Sequence, residues 1–295
     1  MKEVTIQDIQ MLRLAEPNSH KGQNGRLLIV GGSHLFHAAS IWALEVASRI
    51  VDLVHYSSVP ENNDIVKEIK KEFHDGIVIA REDVGAYIEE DDCVLIGPGM
   101  VRDEETRMLT HNLLVSFPTK QWVIDAGALQ MMELSDIPNN AILTPHHQEF
   151  TRLWDRARAG HPEFSQAHTD EDKVKLFAKT YHCIVLLKGQ TDIACSGGKC
   201  DERVCAPGET RLIAGGNEGM TKGGTGDVLA GLIAALACTN DPMLATIAGS
   251  FINKAAGDAL YRSVGPFFNA SDLAQEIPKT MRVLLLPDDA VNIQE

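Results

Sequence analysis

Short aliphatic runs alternate with helical segments along this chain, and most of the runs stop at a glycine or a polar residue. Arg26 to Val30 ends at Gly31-Gly32-Ser33, and a helix is predicted over Ala38 to Ile50. Val51 to Tyr56 is a second strand. Cys93 to Ile96 breaks at Gly97-Pro98-Gly99 before a helix over Asp103 to Val115. Trp122 to Ile124 ends at Asp125, with a short helix after it. Ala141 to Leu143 ends at Thr144-Pro145-His146, with helix over Gln148 to Trp154, and Ile184 to Leu187 ends at Lys188-Gly189. Strands alternating with helices imply a parallel sheet covered on both faces. Ligands in such sheets bind beyond the carboxyl ends of the strands. Gly31, Gly97, Asp125, His146 and Lys188 all fall there. Each alone is a plain loop residue; together they predict one composite site.

Farther along, Asp192 to Val204 reads as a hairpin turning at Gly197-Gly198, and Thr210 to Ile213 as a strand. Leu244 to Tyr261 reads as a buried helix, and Ser271 as the cap of the next one. Ala157 to Thr169 is polar and irregular, a mobile surface loop by this reading. There is no internal repeat and no Pro/Ser-rich linker, so the 295 residues are read as one domain, 1–295.

No run of about 18 apolar residues suggests a membrane span, and Met1-Lys2-Glu3-Val4-Thr5 lacks an apolar signal segment. A net charge of -14 argues against wrapping a nucleic-acid backbone. Cys195, Cys200 and Cys205 flank the hairpin turn at a spacing that fits no recognised zinc pattern. They read as reduced hairpin residues, with a metal site as the lesser alternative, and the expected compartment is the cytoplasm.

The chemistry concentrates in Lys222-Gly223-Gly224-Thr225-Gly226-Asp227-Val228-Leu229-Ala230-Gly231. Glycines let a backbone turn tightly and bring its N–H groups close to a ligand. Val228 to Ala237 is predicted to be a buried helix, and the unpaired N–H groups of its first turn attract phosphate. Asp227 then stands beside a bound phosphoryl group, where a base is needed to take a proton from an attacking hydroxyl. The competing reading is a Gly-rich loop followed by an ordinary helix-start aspartate.

Other motifs are absent. There is no Gly-x-x-x-x-Gly-Lys-Ser/Thr. Gly97-x-Gly99 meets Arg102 where a dinucleotide fingerprint has its third glycine. Neither His-Glu-x-x-His nor Gly-x-Ser-x-Gly occurs. His146 and His147 lie at a strand-to-helix turn, and Glu149 reads as a dipole partner for the helix that follows. Lys188-Gly189-Gln190-Thr191 is either a nucleotide-holding loop or a hairpin entry.

In their order these motifs resemble the ADP- or ATP-dependent NAD(P)H-hydrate dehydratases of the ribokinase-like superfamily, from about Ser19 to Pro278. Ser19-His20-Lys21-Gly22, Gly31-Gly32-Ser33, Gly97-Pro98-Gly99, Asp125-Ala126, Leu143-Thr144-Pro145-His146 with Glu149, Leu187-Lys188-Gly189, Asn217-Glu218-Gly219-Met220, Gly223 to Asp227 and Ala270-Ser271-Asp272-Leu273 carry the likeness. The resemblance implies a three-layer α/β/α sandwich with a mostly parallel central sheet. It implies that Lys188, Gly189, Gln190, Thr191, Asp192 and Gly226 contact ADP or ATP, and that Gly223, Gly224, Thr225 and Gly226 form the phosphate loop. Ala39, Gly99, His146 and Asp227 would contact NAD(P)H hydrate, with Asp227 as the catalytic base. Mg²⁺ would neutralise the nucleotide phosphates, and the family tends to form homo-oligomers. No nucleic-acid or membrane partner is expected.

The chain departs from its relatives at Ala38-Ala39, Arg49-Ile50-Val51-Asp52, Val101 and His147-Gln148. The expectation is added bulk on the substrate side, with His146 inside the pocket and His147 facing out. The other functional readings are a kinase of the same superfamily acting on a different alcohol, and a nucleotide-binding sensor without catalysis.

Overall fold

The computed structural model describes residues 2–198, 200–201, 204–205 and 208–286, with the backbone alone at 200–201 and 204–205. Its strands are β1 (Lys2–Glu3), β2 (Arg26–Val30), β3 (Leu53–Ser57), β4 (Ile77–Val78), β5 (Cys93–Ile96) and β6 (Gln121–Ile124). They continue with β7 (Ile142–Leu143), β8 (Ile184–Leu187), β9 (Asp192–Ser196), β10 (Cys200–Asp201), β11 (Val204–Cys205) and β12 (Thr210–Ile213). The helices are α1 (Ile6–Ile9), α2 (Ala38–Ala47), α3 (Pro60–Ile69), α4 (Val84–Glu90), α5 (Glu104–Ser116) and α6 (Ala126–Met131). After them come α7 (His147–Gly160), α8 (Asp170–Thr180), α9 (Thr225–Ala237), α10 (Pro242–Val264) and α11 (Ala270–Leu285).

One sheet has the order β1-β12-β9-β8-β7-β6-β5-β2-β3-β4. Every pairing from β8 across to β4 is parallel, while β9 runs antiparallel to both β8 and β12. Successive residues of a strand face opposite ways, and β2 shows the result. Leu27 and Ile29 pack into one apolar cluster with side chains of α2, α9, α10 and α11. Leu28 and Val30 pack into a second cluster with α4, α5, α6, α7 and α8. The sheet is covered on both faces, as the unbroken aliphatic runs require.

The topology locates the site. From β2 the chain goes to β3 and β4 in one direction, then returns to β5 and continues through β6, β7 and β8 in the other. The strand order therefore reverses between β2 and β5, and a crevice opens at their carboxyl ends. Glycines line that crevice because the backbones touch. The Gly32 N–H donates to the Pro98 carbonyl at 2.7 Å. Gly97 has φ 122°, and a Cβ there would lie 1.8 Å from the Asp125 carbonyl oxygen. Only glycine permits that crossing.

Four local expectations are corrected. Ser271 does not cap α11: Asn269 does, accepting the Asp272 N–H, while the Ser271 hydroxyl accepts from the Trp42 indole at 2.9 Å. The stretch 157–169 is not a loose loop. Helix α7 continues to Gly160, a 3₁₀ turn spans Pro162–Gln166, and Phe164 is buried with its ring 4.5 Å from that of Trp154. One aromatic anchor outweighs a polar composition there. The hairpin predicted over Asp192 to Val204 is split: β9 pairs with β8 and β12, and β10 pairs with β11. Helix α2 stops at Ala47, short of Ile50. Among the described residues no helix is long and apolar enough to cross a membrane, and no group of three or more His, Cys, Asp or Glu could hold a metal ion. The side chains of Cys200 and Cys205 lie outside the described set.

Candidate functional site

The glycine-rich loop of residues 223–226 enters α9 through Gly224, at φ 96°. A Cβ on Gly224 would stand 2.3 Å from the Trp42 ring and 2.7 Å from Ala270. The positive φ and the close approach each demand glycine. Thr225 is buried and donates its hydroxyl to the Met220 and Lys222 carbonyls at 2.7 and 3.0 Å, which braces the loop. Lys222 turns away, to the carbonyls of Pro266 and Phe268. Asp227 lies in the first turn of α9, where the helix dipole favours an anion.

Around Asp227 the ends of β6, β7 and β8 supply one cation and two more carboxyl groups. Lys188 donates to Asp125 at 3.1 Å, and Asp125 also accepts from the Thr144 hydroxyl at 2.8 Å. Glu149 is buried and accepts the His146 N–H and the Gln130 amide, each at 2.9 Å. Burial, followed by repulsion from Asp125, pushes the Asp227 carboxyl up to about 7 despite the nearby Lys188 ammonium. Burial likewise raises Glu149. On Lys188, burial works against the charge, but the carboxylates of Asp125 and Glu149 outweigh it and hold the ammonium above its ordinary value. A base at Asp227 must be ionised to work. Any reaction that uses it should therefore accelerate as pH rises through about 7 and level off above, checked by the pH profile of kcat/KM.

The cavity beside Asp227 has a volume of about 1050 Å³. Ala39, Gly99, His146, Gly223, Gly224 and Asp227 line it. Ala39 and Gly99 touch: a Cβ on Gly99 would lie 3.0 Å from that of Ala39. His146 caps α7, its Nδ1 accepting the N–H groups of Gln148 and Glu149 at 3.1 and 3.3 Å. Its proton therefore sits on Nε2, and burial with the Lys188 charge lowers its pKa and keeps the ring neutral. His147 is outside the cavity. It is exposed, with its Nε2 3.0 Å from where a Cβ on Gly189 would stand and its Nδ1 3.5 Å from Asp170.

Lys188 to Asp192 adjoin the cavity across Gly226, where a Cβ would be 3.4 Å from the Lys188 Nζ. Gln190 and Thr191 form the exposed tip of that turn. Asp192 is buried, and its carboxylate is occupied by the Gly189 N–H at 2.8 Å, Ser250 at 2.7 Å and Lys254 at 3.2 Å. Its carboxylate therefore shapes the loop and does not reach outward. Of the departures from relatives, Ala38, Ala39, Val101 and Gln148 line the cavity. Arg49 to Asp52 do not. Asp52 accepts from the Gly22 and Asn24 N–H groups near the amino end of β2, at the end of the strands away from the crevice.

Several residues of the site lie outside the sequence reading: Trp42 behind Gly224, Gln130 between Glu149 and the cavity, and Lys254. Its ammonium donates to the carbonyls of Gly189, Gln190 and Gly215 at 3.0–3.1 Å. A lysine in a helix of small, buried residues needs such partners, and that was the available signal.

A family model described as NAD(P)H-hydrate dehydratase matches residues 27–279, which include every residue of the loop and cavity described above. The chain belongs to the NAD(P)H-hydrate dehydratase family. A bifunctional NAD(P)H-hydrate repair enzyme of Methanocaldococcus jannaschii is 33% identical over 283 residues, covering 94% of this chain and 52% of that one. The chain thus spans about half the length of such bifunctional relatives. An ADP-dependent (S)-NAD(P)H-hydrate dehydratase of Nitrosopumilus maritimus is also 33% identical over 283 residues, covering 90% of this chain and 91% of that protein. The crystal structure of the Bacillus subtilis ADP/ATP-dependent dehydratase, co-crystallised with ATP and Mg²⁺, superposes with a TM-score of 0.78 at 22% identity, covering 96% of this chain and 98% of that chain. The fold of this family member is therefore the ribokinase-like α/β sandwich.

Proposed function

We propose that residues 1–295 act as one ribokinase-like domain that restores NAD(P)H from its hydrate at the expense of ADP or ATP. The observation that carries this reading is the half-buried Asp227 carboxyl, pushed up to about 7 where the glycine-led N-terminus of α9 meets a large cavity. Asp227 takes the proton of the ring hydroxyl as that oxygen attacks the terminal phosphorus of the nucleotide. The bond to the bridging oxygen breaks, and the nucleotide leaves one phosphoryl group shorter. The phosphate ester is then eliminated: its carbon–oxygen bond breaks, the neighbouring carbon loses a proton, and the ring double bond returns.

The Gly223 to Gly226 backbone and the α9 N-terminus bind the transferring phosphoryl group. Lys188 supplies positive charge next to it. Mg²⁺ fits here as a passenger on the nucleotide: the described residues offer it no cage of their own, and Asp125 and Glu149 are the carboxylates to hand. When bound it neutralises phosphate charge. Ala39, Gly99 and His146 are assigned to the hydrate, and Lys188, Gly189, Gln190, Thr191 and Gly226 to the nucleotide, with Asp192 positioning that loop. A homo-oligomer in the cytoplasm completes the reading, supported by the family's habit and by the reduced cysteines at 93, 183, 195 and 238.

Incubation with NADH hydrate, Mg²⁺ and either nucleotide should regenerate NADH absorbance and release one phosphate per NADH. Turnover of another alcohol without NADH recovery would overturn the dehydratase reading in favour of a kinase.

A further inference from the structure

The charge pattern of the cavity wall has one feature that phosphoryl transfer does not use. Arg102 and Arg152 both line the cavity, which none of residues 188–192 lines. They come from different elements, Arg102 from the turn before α5 and Arg152 from the second turn of α7. Both lean toward one acceptor, the Gln130 side-chain oxygen, at 2.6 Å from Arg152 and at a looser 3.5 Å from Arg102. The Gln130 amide is in turn fixed by the buried Glu149. Neither arginine has a carboxylate within ion-pair distance among the described residues, although the chain holds 41 Asp and Glu against 27 Lys and Arg. Two guanidinium groups that converge on a cavity without an ion-pair partner of their own suit an anion, since the planar fork binds phosphate oxygens in pairs.

We infer that Arg102 and Arg152, set by Gln130, bind the diphosphate of the dinucleotide substrate rather than any phosphate of the nucleotide donor. This rests on the proposed dehydratase reading, whose substrate carries its diphosphate one ribose away from the reacting ring. Asp227 fixes the ring end in the same cavity, so a second anchor for the diphosphate selects a dinucleotide over smaller nicotinamide hydrates. It also explains the position of Gln130: its amide nitrogen is held by Glu149, which turns its oxygen toward the two arginines.

The test compares NADH hydrate with the hydrate of reduced nicotinamide riboside, which has the same reacting ring and no phosphate. For the wild type, kcat/KM should favour the dinucleotide. In Arg102→Gln and in Arg152→Gln that preference should shrink about tenfold each, which is the size of one lost charge-assisted contact, and mainly through KM for the dinucleotide. Arg152→Lys should restore part of it. Equal losses on both hydrates would show that the arginines merely shape the cavity, and a rise in KM for ADP would place them on the donor side. Either result overturns the inference. Absence of turnover by the wild type with either hydrate would remove the reaction itself, and this assignment with it.

Discussion

Replacing Asp227 by Asn should abolish nearly all turnover while leaving the fold intact. A positioned base contributes about 10²–10⁴-fold to rate, or roughly 3–5 kcal/mol of barrier. Asparagine keeps the shape and cannot take the proton. The same variant carries a stability signature of opposite sign. The Asp227 carboxyl titrates at about 7 in the folded protein, above the value of about 3.9 for an unfolded chain. Between those values the folded state holds the proton and the unfolded state does not. Wild-type stability therefore falls as pH rises from about 4 through 7, where burial of a charged group becomes costly. Asp227→Asn escapes that cost. It should melt higher than the wild type at pH 8 and nearly level with it at pH 4. A residue that merely favoured the helix N-terminus would show the reverse: near-normal turnover and a small loss of stability. Turnover and melting temperature at two pH values decide the matter.

Lys254→Met should be the most damaging single change around the turn that ends β8, the proposed nucleotide loop. The lysine is buried, ion-paired to Asp192 and hydrogen-bonded to three carbonyls. Methionine fills similar space but strands all of them. Removing one partner of a buried ion pair costs about 3–5 kcal/mol, and for a chain of this size each kcal/mol lowers Tm by roughly 2–4 °C. The loop that ends β8 then loses its shape, so ADP affinity should drop at least tenfold. Unchanged melting together with unchanged calorimetric affinity would remove Lys254 from the nucleotide site.

How far the sequence could be read depended on where the causes lie along the chain. The strands and the glycine loop before α9 are written locally, in aliphatic runs ended by glycine, and Arg26 to Val30 and Ile184 to Leu187 match their predicted bounds. Contacts between distant segments are not written locally. Trp42 meets Ser271 across 229 positions, and Lys254 meets Gly189 across 65. Glu149 satisfies a helix-start pattern so well that its burial among carboxyl groups is hidden by it. Ser271 suits a cap in isolation and lost that place to Asn269, two residues earlier. The expected crowding by Arg49 to Asp52 failed because a helix has two ends, and α2 reaches the crevice only with its first half, from Ala38 to Trp42.

The glycine crossings beneath the cavity also bear on how this protein can change over generations. A side chain at Gly97 would collide with the backbone of Asp125, one at Gly127 with Met100, and one at Gly231 with Ala43. No single substitution at those positions leaves the floor in place, so inheritance there is all or nothing. The wall has no such lock: Ala38, Ala39, Val101 and Gln148 face open space in the cavity. Substitutions in the wall can therefore alter what the cavity accepts while the glycine crossings keep their backbone contacts.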